Sequence, residues 1–428
     1  MTMQALSSGA TTLKPRRVVI LVSALGVLAV LLAACGSNAS STPAPVVSGH
    51  GPGGTALPNF PASQNFYQLP SHVSPEPPGR LVRVQTISDG GGEALLRVMY
   101  HSLNPAGHDA LVTGLISYPT GPAPNGGWPV IAWDHGTNGL NSSCAPSRTG
   151  GPGSIPTFGI RGVGVATDFE GEGPEGEIMP YLNRTTEAES TIDIVLAARQ
   201  IPDAHASTRW VVVGDSEGGH AALATGELAP KDGADLHLLG TVAIGPGVLL
   251  SQFFPGDTQL VYDIVEVLVV YGAHAANASF NPAEVLTPAA QGVASVIDNQ
   301  CVDQVAAYLA TVYAKSGGHL FTTPPLQTPQ GKAWIAENNI PQVHTDSPIL
   351  VIGGGQDTVA VPARIGALMP RLCALGDRAS IDWYPTANHD TEITQGAGAI
   401  HTWIDARLGG RQAPTSCPYT AASTPTTT

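Results

Sequence analysis

Trp210-Val211-Val212-Val213-Gly214-Asp215-Ser216-Glu217-Gly218 is an apolar, β-branched run that breaks into a Gly-x-Ser-x-Gly turn. The run reads as a buried strand, and Gly219, Ala221, Ala222, Leu223 and Ala224 continue it as a helix of small residues. A serine hydroxyl is a weak nucleophile unless its oxygen is held exposed beside a general base. A sharp strand-to-helix turn lifts that oxygen above the sheet. Glycines two before and two after the serine let the backbone pack closely, and the helix N-terminus aims amides at developing negative charge. Ser216 is the candidate nucleophile, and the strand–turn–helix context sets it apart from chance matches in a Gly-rich chain.

On such a sheet the acid and base follow the nucleophile in the order serine, acid, histidine, each after a later strand. Pro348 to Ile352 is short, apolar and β-branched, and Gly353-Gly354-Gly355-Gln356-Asp357 turns away from its C-terminal end. That puts Asp357 on the correct side of the sheet, while Asp346 precedes the strand at the opposite end. Ala379 to Tyr384 alternates as a strand should, and Pro385-Thr386-Ala387-Asn388-His389 follows. His389 lies 32 residues beyond Asp357, the length of one helix and one strand. His401 falls in an apolar helical stretch and reads as a packed or surface residue, and His220, on the nucleophile helix, as structural. Two amides must bind the oxyanion. Glu217 N–H supplies one, and the strand Trp128–Asp134, ending in His135-Gly136-Thr137, supplies the other from Thr137 or, next, Gly136.

The order His135-Gly136-Thr137, Cys144-Ala145-Pro146-Ser147, Asp168-Phe169-Glu170-Gly171, the Ser216 turn, Asp357 and His389 resembles the secretory lipase family over about residues 80–410. The resemblance implies an α/β-hydrolase fold with a mostly parallel central sheet, lipase or carboxylesterase activity, a helical lid and no cofactor. One departure stands out: Asp215 and Glu217 flank the serine. Two carboxylates there would favour the protonated form of His389 and repel anionic substrates, so neutral acylglycerols or related lipid esters are the expected substrates. Short-chain or carbohydrate acetyl esterase, peptidase and a non-catalytic surface lipoprotein are the rival readings.

The spacing from Ser216 to Asp357, 141 residues, exceeds what helix-and-strand pairs need. Residues 251–344, with helical apolar stretches at Val261 to Tyr271 and Val302 to Tyr313, are expected to form a lid that excludes water and shapes an acyl pocket. Leu81–Ser88, Ala94–Ser102 and Ala110–Pro119 read as antiparallel strands. Gly162–Thr167 and Leu238–Ile244 read as further strands, and Glu187–Gln200 as an amphipathic helix. The acidic loop Asp168, Glu170, Glu172, Glu175 and Glu177 matches no calcium loop and reads as a solvated rim of the site, so no metal is assigned.

Composition fits an exported α/β enzyme. The chain has 428 residues, 43% hydrophobic and only 12% charged, about half the usual charged share. A formal net charge of −14 argues against nucleic acid, whose phosphates require a basic surface. Lys14, Arg16 and Arg17 precede an uncharged apolar run from Val18 to Ala34, and Leu32-Ala33-Ala34-Cys35-Gly36 resembles a bacterial lipobox. Residues 1–34 are therefore expected to be a signal peptide, with Cys35 lipidated as a membrane anchor and the catalytic body outside the cytoplasm. Residues 35–71, rich in Ser, Pro and Gly, read as a flexible tether. The body spans 72–411, and the Thr/Pro/Ser-rich segment 412–428 reads as a disordered tail. Cys144, Cys301, Cys373 and Cys417 form an even set with three connectivities open to it. The family resemblance favours Cys144 with Cys301, and Cys373 with Cys417 close to His389.

Overall fold

In the computed structural model, which describes residues 57–253 and 260–420, three long strands open the sheet. β1 (Leu81–Gly90), β2 (Glu93–Leu103) and β3 (Asp109–Pro119) pair antiparallel. Beyond them lie β4 (Trp128–Asp134), β5 (Val163–Thr167), β6 (Ala206–Asp215), β7 (His237–Ile244), β8 (Ile349–Gly354) and β9 (Ala379–Tyr384). The order across the sheet is β1-β2-β3-β5-β4-β6-β7-β8-β9, and every pairing after β3–β5 is parallel. Parallel neighbours need crossover connections. These are α1 (Arg184–Ala198), α2 (Glu217–Asp232), a long segment between β7 and β8, and α6 (Pro362–Leu375); α7 (Glu392–Leu408) follows β9.

Side chains of β6 alternate between two cores, as a strand's pleat requires. Trp210 and Val212 pack with Ile192 and Ala222 on one face, while Val211 and Val213 meet Ile400, Trp403 and Ile404 of α7 on the other. Both faces are covered, so the run is apolar throughout rather than alternating.

Helix α1 departs from the amphipathic pattern. It begins at Arg184, capped by Asn183, whose side chain accepts from the amides of Thr185 and Thr186. It lies between α2 and the strands β2 and β5, so its polar residues are buried as well: Glu187 is 0% exposed, Asp193 1% and Glu189 5%. No face of it is left for water, and the acids find partners inside. His220 meets Glu187, and Glu189 stands near Asp232.

The segment between β7 and β8 carries α3 (Leu260–Ala276), α4 (Val302–Lys315) and α5 (Pro329–Asn338). Val267, Leu268, Val305, Leu309 and Trp334 build a separate apolar cluster that reaches Tyr181 and Leu182 of the main body. The Cys144–Cys301 disulfide joins the start of α4 to the loop after β4 across 157 residues.

Three expectations are corrected. Residues 57–71 are not free tether: Asn59 bridges to Val84, and Phe66 and Tyr67 pack against Met99 and Leu111. These two aromatic side chains with Phe60 supply enough apolar surface to dock the segment, and Arg83 stacks on the Phe60 ring at 4.7 Å. The C-terminal segment is ordered through residue 420, held by the Cys373–Cys417 disulfide and by the Ser416 amide donating to Ala379 O at 2.8 Å. Those contacts lie at the N-terminal end of β9, so this disulfide pins the chain at the opposite edge of the sheet from His389. Residues 1–56, with the expected signal peptide, Cys35 and most of the tether, and residues 421–428 lie outside the described residues.

Burial and the neighbouring Asp232 push Glu189 up to about 7. A carboxyl raised above its unfolded value stabilises the fold when protonated, and that contribution is lost as pH rises through the folded value. Glu189→Gln should therefore leave the melting temperature unchanged at acidic pH and raise it at alkaline pH. Thermal melts across that range check this, and an equal effect at all pH values would contradict it.

Candidate active site

Parallel strands deliver their C-terminal ends to one edge of the sheet, and the catalytic candidates all sit there. Ser216 follows β6 with φ 56° and ψ −111°, a conformation that costs a non-glycine residue about 1–3 kcal/mol. The turn is held from both sides: Ser216 N–H donates to Ile244 O of β7 at 2.8 Å, and Gly247 N–H donates to Ser216 O at 3.0 Å. A Cβ at Gly214 would stand 1.8 Å from Gly218 O, and one at Gly218 would stand 2.0 Å from Asp134 O. The two glycines are thus required by backbone approach, and α2 starts immediately behind the serine.

The structure brings the three triad candidates together. His389 Nε2 lies 2.8 Å from Ser216 Oγ, and His389 Nδ1 lies 2.8 Å from Asp357 Oδ2. Asp357 is buried, and its other oxygen accepts the amides of Val359 at 2.7 Å and Ala360 at 2.9 Å. Burial alone would raise Asp357, but the hydrogen bond and charge of His389, with the Val359 amide, outweigh it and hold the carboxyl below its ordinary value. Burial alone would lower His389; its bond to Asp357 and the charges of Asp357, Asp215 and Asp390 hold it above its ordinary value.

The two carboxylates flanking the serine behave differently from each other. Asp215 is pushed up to about 6 by burial and by Asp357 and Asp390, against the attraction of His389. Glu217 turns inward, where burial first and then the neighbouring Glu187 raise its carboxyl well above the usual range. The second acid acting on His389 is therefore Asp390, not Glu217. The sequence offered Asp390 only as the residue after the base.

On the oxyanion side, Gly136, Thr137 and Glu217 all line the cavity that holds Ser216. His135 is buried behind them, its Nδ1 2.8 Å from Gly136 O and its Nε2 3.3 Å from Glu172. Burial opposes its charged form, but Glu172 and then Glu217 outweigh this and raise His135 to about 10. A carbonyl oxygen can only accept, so Nδ1–H donates to Gly136 O; Asn138 Nδ2 lies 3.0 Å from the same nitrogen. In a planar trans peptide the N–H points opposite the C=O, so fixing Gly136 O also fixes the Thr137 N–H. The Thr137 hydroxyl and Tyr181 OH are 2.8 Å apart.

The acidic loop is not a solvated rim. Asp168 and Glu172 are buried. Asp168 accepts from the Ser147 amide at 2.8 Å and from the hydroxyls of Thr113 and Ser147, while Glu172 is the His135 partner. Only Glu175 of the five is exposed, with Glu170 and Glu177 half-buried. Burial is what the sequence concealed, since acidic residues after a strand normally face water. His220 is a buried link between Glu187 and Asn338 O, and His401 donates to Phe158 O at the surface.

The cavity over Ser216 measures about 480 Å³. Val261, Ile264, Val265 and Leu268 of α3 and Val302 and Ala306 of α4 make an apolar wall, while Asp215 and Asp390 stand on the His389 side. An apolar chamber with a few convergent polar groups is the usual form of a small-molecule site.

Together, sheet order, nucleophile turn and site define an α/β-hydrolase of the ester-cleaving kind. A secretory lipase family profile matches residues 160–416, more than half the chain. The chain belongs to the secretory lipase family. Comparison with curated proteins finds no match. Among solved structures it is similar to the rice cell wall degrading esterase LipA from Xanthomonas oryzae, with 18% identity and a TM-score of 0.64 over 79% of this chain and 100% of that one. It is also similar to Candida antarctica lipase A in its closed state, with 18% identity and a TM-score of 0.67 over 85% of this chain and 89% of that one. A putative hydrolase from Legionella pneumophila follows at 16% identity and a TM-score of 0.62, over 77% of this chain and 97% of that one. These likenesses establish the shared fold. Family and disulfides together place the chain in an extracytoplasmic setting, where disulfides persist.

Since Asp390 raises His389, Asp390→Asn should lower the value at which the imidazole gains its proton. The acid limb of the kcat/KM–pH profile should move down by about half a pH unit. An unmoved limb in a folded variant would show that Asp390 does not act on the base.

Proposed function

We propose that this protein is a serine esterase of the lipase type, acting on neutral carboxylic esters with acylglycerols as the leading substrate class. The observation that carries the reading is the chain of two 2.8 Å hydrogen bonds linking Ser216, His389 and Asp357 on a strained turn. Ser216 Oγ attacks the ester carbonyl while His389 Nε2 takes its proton. Asp357 holds the Nδ1–H tautomer and stabilises the imidazolium. The Glu217 and Thr137 amides bind the tetrahedral oxyanion; Glu217 N–H is one of the first helix amides without an acceptor inside the helix. His389 returns the proton to the leaving alcohol, then activates water to release the acid.

The acyl chain lies along the α3–α4 wall, and the alcohol leaves past Asp215 and Asp390. Those carboxylates disfavour anionic groups, which supports neutral esters over phosphorylated ones. Within residues 251–344, α3 and α4 form the lid in this reading, with the Cys144–Cys301 disulfide tying it to the oxyanion loop. Cys35 anchors the enzyme to the membrane through its lipid, so the substrate is lipid reaching the cell envelope.

Hydrolysis of p-nitrophenyl esters from acetyl to palmitoyl, with Ser216→Ala alongside, tests the reading. Turnover should extend to long chains and fall by at least about 10⁴-fold in the variant. Activity confined to acetyl and butyryl esters would leave a short-chain esterase and remove the lipase assignment. No Ser216-dependent turnover, with no fluorophosphonate labelling of Ser216, would remove both. Cys35→Ser should abolish incorporation of radiolabelled fatty acid in the producing cells and shift the protein from membrane to soluble fractions; an unchanged distribution would overturn the anchor.

A further inference from the structure

Behind the triad stands a second carboxyl that the mechanism above does not use. Glu392 opens α7, three residues after His389, and is fully buried. Its Oε1 accepts the Gly354 amide at 2.6 Å, at the end of β8. Its Oε2 has no donor within reach and stands 2.5 Å from where a Cβ on Gly245 would lie, the same point that is 3.4 Å from His389 Cε1. The Glu392 carboxyl lies against the Asp357 carboxyl, and each acts on the other's hold on a proton. A buried carboxyl that contacts another carboxyl can be satisfied only if one of the two carries a proton. Asp357 already accepts from two backbone amides and His389, an arrangement that favours its charged form, so the proton sits on Glu392.

We propose that Glu392, in its neutral form, is a positioning residue of this site, donating its proton to Asp357 while its other oxygen fixes the end of β8. It thereby sets the Asp357 loop against His389. The inference rests on the esterase reading for its activity measurements, and on the fold alone for its spectroscopic one. The charged groups around Glu392 are Asp357 on the loop after β8, Asp215 at the end of β6 and His389 after β9. Burial first, then the charge of Asp357 and its hydrogen bond, push Glu392 up to about 10. Its proton is therefore present at neutral pH and lost as pH rises through that value, when two carboxylates would face each other beside the base.

The test compares wild type, Glu392→Gln and Glu392→Ala for p-nitrophenyl butyrate hydrolysis from neutral to strongly alkaline pH. A glutamine amide can donate to Asp357 at every pH while its oxygen still accepts from Gly354. Glu392→Gln should keep kcat within about threefold and lose the alkaline decline of the wild type, whereas Glu392→Ala should lower kcat about tenfold to a hundredfold with little change in KM. Nuclear magnetic resonance of the low-field His389 Nδ1 proton reads the same geometry without turnover: the signal should persist in the Gln variant, shift or vanish in the Ala variant, and in wild type change as Glu392 ionises. If the Ala variant does not fold, the Gln profile and the wild-type titration of this proton decide. A Gln variant as impaired as the Ala variant, or a low-field proton unaffected by either change, would overturn the proposal. Loss of Ser216-dependent turnover in the wild type with these proton shifts intact would instead count against the esterase reading alone.

Discussion

The left-handed turn at Ser216 is the constraint on which the rest of the site depends. A strand that ends in a relaxed conformation would lay the serine along the sheet, away from any loop that follows a later strand. The observed φ of 56° turns Oγ out toward His389, and the strain is offset by hydrogen bonds to and from β7 and its loop. Those bonds exist only because backbones approach to distances that exclude a Cβ at Gly214 and Gly218. Sequence, turn and nucleophile position are one fact seen at three levels.

Carboxyls in this molecule outnumber the cations that could pair with them. With 19 Lys and Arg against 33 Asp and Glu in the whole sequence, buried acids must often be satisfied by histidines, amides, hydroxyls or one another. Glu392 shows which effect wins. An ionised carboxylate in the first turn of a helix gains about 0.3–1 kcal/mol from the dipole. Two unit charges at about 4 Å repel by about 4 kcal/mol at an effective dielectric near 20. Repulsion from Asp357 exceeds the helix term, so a residue that would ordinarily be an ionised first-turn glutamate becomes a proton donor. Glu217 follows the same logic through burial near Glu187.

The nucleophile turn, the strands that carry Asp357 and His389 and the antiparallel opening were legible because they rest on local rules: β-branched runs, glycines at tight turns and the order of loops along a parallel sheet. What escaped was burial imposed from a distance. Asp168 and Glu172 read as solvated, and the helix from Glu187 as amphipathic, because nothing in their own neighbourhood says that β3, His135 or α2 will close over them. Glu392 and Asp390 sat unremarked beside His389 for the same reason. Phe66 and Tyr67 were submerged in a Ser/Pro/Gly-rich stretch whose average composition hid the apolar side chains that dock it.

That distinction bears on how the site is tuned. The reacting atoms are placed by local geometry, which tolerates little change. The proton affinities in the site are set by side chains from separate segments: Asp215 at the end of β6, Asp357 after β8, Asp390 after β9 and Glu392 on α7. The α3–α4 wall over Ser216 is supported separately, by an apolar cluster and by the Cys144–Cys301 disulfide at one end of it. A fold divided in this way can hold one reaction constant while its working pH and its substrate's shape change separately.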